Sequence, residues 1–379
     1  MRLLVVAGEA SGDLIAAEVL DSLAVRCAAL DAFGIVGPAA RARGARALVR
    51  TEDLSAMGLA EVLPRAPRIA RAVRALLAAV RSRRPTAALL VDYHELNLLL
   101  GRFLRRAGIP VLLVVAPQTW AWRAGRTRTL TRSVDHVAAI LPFEPAHLAR
   151  AGVPCSYVGH PAYGRARPSR DEARRTLGLD PAARVLAVLP GSRHGEVSRL
   201  APVMSDAARA LRARGLLDEI LCPRASTVDP AWLAAIERDG ARIVSAADAS
   251  ATVLAASDTA VVCSGTATLE CALARTPMIV VYRLAPSSAV IARAALRVRS
   301  VAMPNLLLAR PVVPELLQSR LNAAAIVELA TTLLDSRSQA RRDQLDALRR
   351  VGERLRPPGP DGTRAADHVA AILANLEHR

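Results

Sequence analysis

Short apolar runs alternate along the chain with longer segments in which apolar residues recur every three or four positions. Continuous apolar runs of this length are typical of buried parallel strands, and the helical period between them is typical of crossover helices. In the first half, strands are predicted at residues 3–7, 87–91, 111–115 and 136–141. In the second half they are predicted at residues 185–189, 219–222, 242–244, 259–263 and 277–281. The pattern therefore predicts an α/β protein with two doubly wound parallel sheets.

An arginine- and proline-rich segment at residues 164–170 separates the two series and is typical of a linker. We therefore expect a first domain at residues 1–165 and a second at residues 170–350. Residues 351–379 are expected to form a helical tail, broken at Pro357-Pro358-Gly359-Pro360, for which packing back on the first domain is one arrangement.

Polar turns follow three strands of the first half, at the edge where open α/β sheets bind ligands. The turn after the first strand contains Gly8, Ser11, Gly12 and Asp13, and Ser11 or Asp13 is expected to cap the next helix. Two carboxylates and an amide follow the strand at 87–91 and are candidates for proton transfer: Asp92, Glu95 and Asn97. The turn after residues 111–115 suits a sugar or acyl chain, or is simply a packed corner: Gln118, Trp120, Trp122 and Arg123.

In the second half, a buried strand runs into the small turn Ser264-Gly265-Thr266, and a helix follows. The first backbone N–H groups of such a helix have no partner within it and suit a phosphate or diphosphate. Glu270 lies about one turn further on, where a carboxylate can reach a pair of sugar hydroxyls. An ordinary capped helix is the alternative interpretation of this turn.

Charge and composition limit the kinds of phosphate-binding, catalytic and metal site that the chain can contain. The formal net charge is +17, and all 51 basic residues are arginine. A chain without lysine has no Walker A loop, Schiff-base lysine or pyridoxal-phosphate site, so phosphate recognition must use arginine, backbone amides and hydroxyls. The five cysteines have no C-x-x-C spacing, which gives no indication of a zinc site.

The apolar runs also bear on localisation. No run approaches the roughly 18–20 residues of a membrane span, and Leu3 to Ala7 is too short for a signal peptide, so we expect a cytoplasmic protein. Residues 62–91 contain seven arginines and no acidic residue. The segment Arg65–Arg84 is either a helix packed on the sheet with a solvated arginine face or a basic amphipathic helix at an anionic membrane surface.

Seven short motifs follow one another along the chain: Gly8-Glu9-Ala10-Ser11-Gly12-Asp13, Pro117-Gln118-Thr119-Trp120-Ala121-Trp122-Arg123, Leu141-Pro142-Phe143-Glu144, Gly159-His160-Pro161, Leu189-Pro190-Gly191-Ser192-Arg193, Ser264-Gly265-Thr266-Ala267-Thr268-Leu269-Glu270 and Pro304-Asn305-Leu306-Leu307. In this order they resemble the lipid-A-disaccharide synthase family of glycosyltransferases. The resemblance covers Met1 to about Gln318. It implies the GT-B fold, in which two Rossmann-like domains face each other across a cleft.

The resemblance also implies a reaction and its partners. A 2,3-diacylglucosamine passes from UDP to the 6-hydroxyl of 2,3-diacylglucosamine 1-phosphate, with inversion, release of UDP, and no metal or cofactor. The first domain would face the acceptor and the cytoplasmic surface of the anionic inner membrane, and the second would bind the UDP-sugar. The oligomeric state stays open between a monomer and a homodimer.

Individual roles follow from the same resemblance. Gly191, Ser192, Arg193 and the turn Ser264–Thr266 would hold the diphosphate, and Glu270 the uridine ribose. A further cleft-facing set, without assigned roles, comprises Asn305, Glu315 and Gln318.

One motif departs from the family. Its usual Asp-x-Pro-Asp-Phe-Asn is Asp92-Tyr93-His94-Glu95-Leu96-Asn97 in this chain. Because Glu95 occupies the position of the second aspartate, we take it as the general base, with Asp92 orienting the acceptor or Glu95 and with Asn97 holding the turn.

Two other classes of function are compatible with parts of the sequence. Another GT-B enzyme acting on a UDP-amino sugar, such as a muramyl-type transferase or a 2-epimerase, would have a similar donor half. A noncatalytic basic protein that binds nucleic acid or membranes would explain the charge, but nucleic-acid surfaces usually interleave aromatic residues with basic ones. Only 3% of this chain is aromatic, so no nucleic-acid partner is expected.

Overall fold

The computed structural model describes residues 1–55, 62–120, 127–224, 228–246, 248–285 and 300–377. The chain divides into two compact units. Unit 1 comprises Met1–Gly164 together with Leu355–Arg379, and unit 2 comprises Arg165–Arg354. Unit 2 is thus an insertion in the sequence of unit 1.

The described residues of unit 1 form a seven-stranded parallel sheet in the order β3-β2-β1-β4-β5-β6-β7. Its strands are β1 (Arg2–Ala7), β2 (Asp31–Val36), β3 (Arg46–Arg50), β4 (Ala87–Val91), β5 (Val111–Val114), β6 (His136–Ala139) and β7 (Cys155–Tyr157). Its helices are α1 (Ala10–Ala24), α2 (Pro38–Arg41), α3 (Glu52–Ser55), α4 (Val62–Arg83), α5 (His94–Arg106), α6 (Thr127–Ser133), α7 (Glu144–Ala149) and, after unit 2, α16 (Ala365–Glu377).

The central strands are apolar throughout because helices cover both faces of the sheet. Leu3 and Val5 of β1 pack among residues of α1 and α16. Leu4 and Val6, which point to the opposite face, pack among residues of α4 and α5. The tail helix α16 thereby becomes part of the core of unit 1, in contact with α1, β4 and β5.

The described residues of unit 2 form a six-stranded parallel sheet in the order β10-β9-β8-β11-β12-β13. Its strands are β8 (Val185–Leu189), β9 (Glu219–Pro223), β10 (Arg242–Val244), β11 (Thr259–Cys263), β12 (Met278–Tyr282) and β13 (Glu315–Leu317). Its helices are α8 (Arg170–Thr176), α9 (His194–Ala213), α10 (Pro230–Arg238), α11 (Ala249–Ala256), α12 (Ala267–Ala274), α13 (Met303–Leu308), a 3₁₀ turn (Gln318–Arg320), α14 (Ala323–Leu334) and α15 (Gln339–Leu355).

In each sheet, successive strands are first added towards one edge and then, after a single switch, towards the other edge. In unit 1 the reversal lies between β1 and β4, and in unit 2 it lies between β8 and β11. In open α/β sheets, ligands bind in the crevice beyond the carboxyl ends of the two strands at such a switch point. We therefore expect the catalytic and ligand-binding residues in the loops that follow β1, β4, β8 and β11.

The two doubly wound sheets that the apolar pattern predicted are confirmed, and each of the nine predicted strands is present within a residue or two of its expected bounds. Four strands were not predicted: β2, β3, β7 and β13. Within the described residues, no helix is long and apolar enough to cross a membrane.

Candidate active site

Gly8 and Tyr93 lie against each other at the switch point of unit 1. Gly8 follows β1 directly, and Tyr93 belongs to the turn after β4. A Cβ atom on Gly8 would stand 2.4–2.8 Å from the Tyr93 ring, closer than Cβ atoms come to other heavy atoms. The first position of the glycine-rich turn is therefore needed for close packing against the turn that carries Asp92.

The turn after β4 is held in an unusual backbone conformation. Asp92 and Tyr93 have φ angles of 51° and 42°, in the left-handed region that costs a non-glycine residue about 1–3 kcal/mol. The Asn97 amide opposes this strain by donating from Nδ2 to the carbonyl of Asp92 at 2.7 Å and of Val91 at 3.2 Å. These two hydrogen bonds tie α5 to the turn that carries Asp92.

The two carboxylates of this turn have different surroundings. Asp92 is half-buried, and its Oδ1 lies 3.4 Å from Nδ1 of His94. Glu95 is exposed on the first turn of α5. The other ring nitrogen of His94, Nε2, lies 3.2 Å from the carbonyl oxygen of Val115, at the end of β5. Asp92 is therefore the more buried of the two carboxylates.

Asp13 corrects one expectation. Neither Ser11 nor Asp13 caps α1, because that helix begins after Glu9 without a side-chain cap. Asp13 is buried and instead accepts hydrogen bonds from the backbone amides of Gly37 and Ala39, each at 2.7 Å, at the start of α2. Asp13 therefore ties the first turn of α1 to the start of α2.

Ser11 and Gly12 behave differently from Asp13. Ser11 is exposed in the first turn of α1. A Cβ on Gly12 would meet Val91 at 3.5 Å, an ordinary contact. Ser11 therefore presents its hydroxyl group to solvent at this edge.

The loop after β5 is in part a packed corner. Trp120 meets Phe143 edge to face, with ring centroids 5.0 Å apart, and its Nε1 lies 3.4 Å from Oε1 of Glu144. Gln118 is exposed. Trp122 and Arg123 lie outside the described residues.

Glu144, at the start of α7, is an acid whose pKa departs strongly from its ordinary value. It is only 2% exposed, and burial raises its pKa from 4.5 to about 7 despite hydrogen bonds from the Leu141 amide and the Trp120 indole. Burial disfavours the charged form of a carboxyl group, and these donors, together with the Ile140 amide, offset only part of that cost.

At the switch point of unit 2, Gly191 and Glu196 shape the loop after β8. Gly191 has a φ of 116°, and a Cβ there would lie 2.6 Å from Oε2 of Glu196. That oxygen accepts from the amides of Ser192 and Arg193 at 3.2 and 3.3 Å. The Arg193 side chain is 76% exposed and only loosely paired with Glu196, at 3.4 Å. Because such an exposed pair contributes little to stability, the guanidinium can exchange it for a ligand anion.

The loop after β11 opens onto an uncapped helix. Gly265 and Thr266 are exposed, and no side chain caps the start of α12. Ser264 donates from Oγ to the carbonyl of Val301 at 2.8 Å, which fixes the turn. Glu270 is half-buried in the first turn of α12 and accepts a hydrogen bond from Ser250 of α11.

Asn305 and Glu315 bind to each other. The Asn305 Nδ2 donates to Oε1 of Glu315 at 2.9 Å, and its Oδ1 accepts from the amides of Val312 and Val313. Glu315 also accepts from the amide of Ala302 at 2.9 Å. The pair therefore orders the segment around α13. Gln318 lies half-buried in the 3₁₀ turn with a φ of 51°.

Side chains that contact the candidate residues but were not among those predicted from the sequence include Tyr93, His94, Glu196 and Ser250. Tyr93 and His94 lie within a motif that the sequence singled out, and Glu196 lies three residues after another, so their position was the available signal. Ser250 had none, because its contact with Glu270 depends on how α11 and α12 pack. Among the described residues, no group of three or more His, Cys, Asp and Glu side chains could hold a metal ion.

Two solved structures share this architecture. The UDP-GlcNAc 2-epimerase of Neisseria meningitidis, bound to UDP-GlcNAc, superposes with a TM-score of 0.61 at 12% identity, over 99% of each chain. A glycosyltransferase involved in lipopolysaccharide biosynthesis superposes with a TM-score of 0.58 at 11% identity, over 98% of this chain and 99% of the other. Two doubly wound units, each with polar loops at its switch point, define a protein of the GT-B fold.

The sequence comparisons identify the family within that fold. The family model of lipid-A-disaccharide synthetase matches residues 3–358. Lipid-A-disaccharide synthase of Anaeromyxobacter dehalogenans (strain 2CP-C) is 43% identical over 98% of this chain and 97% of its own length. That of Myxococcus xanthus is 41% identical over the same shares, and that of Geobacter sulfurreducens 36% identical over 99% and 97%. The chain belongs to the lipid-A-disaccharide synthase family.

Membership of this family establishes the reaction and does not favour the two alternative functions. The protein is a hexosyltransferase that joins two acylated glucosamines into the lipid A disaccharide, with a UDP-sugar as donor. The 2-epimerase shares the fold at only 12% identity. A noncatalytic nucleic-acid binder is likewise not favoured.

Proposed function

We propose that the switch point of unit 1 deprotonates the 6-hydroxyl of the acceptor sugar and that the switch point of unit 2 holds the UDP part of the donor. Inversion in one displacement needs a single general base on that hydroxyl and stabilisation of the departing diphosphate. The location of the candidate residues at the two reversals of strand order supports this division.

We assign the base to Asp92, which exchanges the roles that the sequence suggested for Asp92 and Glu95. The observation that carries the assignment is the left-handed turn at Asp92 and Tyr93, tied down by Asn97. Strain of this kind persists where the surrounding structure fixes it, and it clusters at active sites. A base must also stand in one position to be effective, whereas the exposed Glu95 has a longer side chain with more rotamers.

Paired substitutions test this assignment. Asp92→Asn should keep UDP affinity and lose about 10²–10⁴-fold in kcat, the usual contribution of a general base. Glu95→Gln, the matched carboxyl-to-amide change three residues away, should retain kcat within a few-fold. UDP release from both diacylated substrates measures kcat, and UDP titration measures donor binding. The opposite ranking of the two variants would return the base to Glu95.

For the donor, we propose that Arg193 and the start of α12 bind the diphosphate and that Glu270 binds the uridine ribose. The exposed guanidinium and the start of α12, which no side chain caps, support the first part, because both suit oxyanions. Glu270 is oriented by Ser250, which supports the second part.

For the acceptor, we propose contacts with Ser11 and Gln118, both exposed at the carboxyl edge of the sheet in unit 1. Trp120 would act through the corner that it forms with Phe143. Trp122, Arg123 and Gln318 are kept as acceptor-side candidates on the strength of the family motifs.

We also propose peripheral binding at the cytoplasmic face of the inner membrane, because both substrates carry acyl chains. In α4, Leu76 and Val80 are buried in the core, whereas Arg71, Arg74 and Arg81 are exposed. The side chains of Arg65 and Arg68 lie outside the described residues. Since the described apolar face packs on the sheet, the attraction proposed for α4 is electrostatic.

A further inference from the structure

His94 contacts an oxygen atom through each of its ring nitrogens. It occupies the first position of α5, and its side chain is 23% exposed. Nε2 lies 3.2 Å from the Val115 carbonyl oxygen, and Nδ1 lies 3.4 Å from Oδ1 of Asp92. The ring thus links the end of one strand to the carboxylate that follows its neighbour.

The Val115 contact fixes which nitrogen carries hydrogen. A carbonyl oxygen only accepts, so Nε2 must be the donor, and the neutral ring then has a lone pair on Nδ1. That lone pair faces Asp92. While Asp92 is ionised and His94 is neutral, no hydrogen lies between Nδ1 and Oδ1, and 3.4 Å is long for a hydrogen bond.

We propose that His94 is a positioning residue for Asp92 and that it accepts a hydrogen bond from Asp92 during the reaction; the inference rests on the proposed role of Asp92 as base. The acceptor O–H bond breaks and its proton moves to the Asp92 carboxylate. The electron pair left on the acceptor oxygen forms the new bond to the anomeric carbon of the donor, and UDP departs with the electrons of the bond it loses. The protonated Asp92 then donates to Nδ1 of His94.

Two substitutions separate the two contacts of His94. Glutamine places a polar atom near the position of Nε2, and asparagine places one near the position of Nδ1. His94→Gln should therefore keep the anchor to Val115 and lose the partner of Asp92. We expect kcat to fall about tenfold, the worth of one hydrogen bond in a transition state, with both KM values unchanged. His94→Asn, which keeps a polar atom near the position of Nδ1, should have a higher kcat than His94→Gln.

A double-mutant cycle shows whether His94 acts through Asp92. In an Asp92→Asn background, His94→Gln should cause no further loss of kcat. The control is His368→Gln, because His368 also contacts a backbone carbonyl, that of Pro358 at 2.7 Å, but lies in α16; its kcat should be normal.

Three results would count against these assignments. An equal loss from His94→Gln in both backgrounds would overturn the inference, since the histidine would then act independently of Asp92. So would an unchanged kcat in His94→Gln where Asp92→Asn is impaired. Normal turnover by Asp92→Asn would instead refute the proposed base, and the inference with it.

Discussion

Replacing the buried Glu144 by glutamine should change how the stability of unit 1 depends on pH. The pKa of this carboxyl group is about 7 in the folded chain, against an ordinary value of 4.5. Below pH 4.5 the group is protonated in both the folded and the unfolded chain, so its ionisation does not lower the free energy of unfolding. Between pH 4.5 and 7 the folded chain retains a proton that the unfolded chain releases, so stability falls as the pH rises.

The size of the effect follows from that difference in pKa. A difference of about 2.5 units, at about 1.36 kcal/mol per unit, amounts to roughly 3 kcal/mol lost by pH 8. Glutamine resembles the neutral acid in shape and cannot ionise, so Glu144→Gln should escape the loss. For a unit of about 190 residues, the variant should gain roughly 6–12 °C in Tm relative to the wild type between pH 4.5 and 8.

Calorimetric melting of the wild type and the variant from pH 4.5 to 8 measures this gain. Asp53→Asn is a matched control, because it removes an exposed carboxyl group from the same unit. Its Tm difference from the wild type should change little with pH. A Glu144→Gln difference as flat as that of the control would refute the explanation of the raised pKa by burial.

The remaining predictions concern the donor, the membrane and the glycine turn. Arg193→Ala should lower kcat about 10²-fold, as loss of one charge-stabilising donor does, whereas Glu270→Gln should mainly weaken UDP binding; unchanged UDP affinity in isothermal titration would remove the ribose assignment. The protein should sediment with anionic vesicles at low salt and less at high salt, because the attraction is screened; equal sedimentation with neutral vesicles would contradict an electrostatic origin. Gly8→Ala should destabilise unit 1 by about 1–3 kcal/mol through the clash with Tyr93, whereas Gly12→Ala, whose new methyl group meets only an ordinary contact, should melt close to the wild type.

The sequence predicts the central strands well and the outer ones poorly, for a physical reason. Strands such as β4, Ala87–Val91, are buried on both faces and are apolar throughout. In contrast, β3 lies at the sheet edge and has arginine at both ends, and β7 and β13 are only three residues long. In β2, Gly34 interrupts the run where the strand passes within close reach of the Val5 carbonyl. None of these four has enough apolar residues in a row to stand out.

Roles that depend on distant partners were also beyond the sequence. Asp13 has the composition and spacing of a local helix cap, yet its partners start at Gly37, in a different element. The left-handed turn at Asp92 is similarly invisible, because neither Asp92 nor Tyr93 is a glycine. By contrast, the loops at both switch points could be located from the sequence, since each directly follows an apolar strand.

The return of the chain to unit 1 has a consequence for synthesis on the ribosome. The strands of unit 1 are complete at Tyr157, but α16, which covers α1, starts only at Ala365. At about 5–20 residues per second, the roughly 200 residues between them take on the order of 10–40 s to translate. For that interval the nascent unit exposes the apolar surface that Val369 and Leu373 later bury. The core of unit 1 is therefore completed only by the last helix to leave the ribosome, after unit 2 has been made.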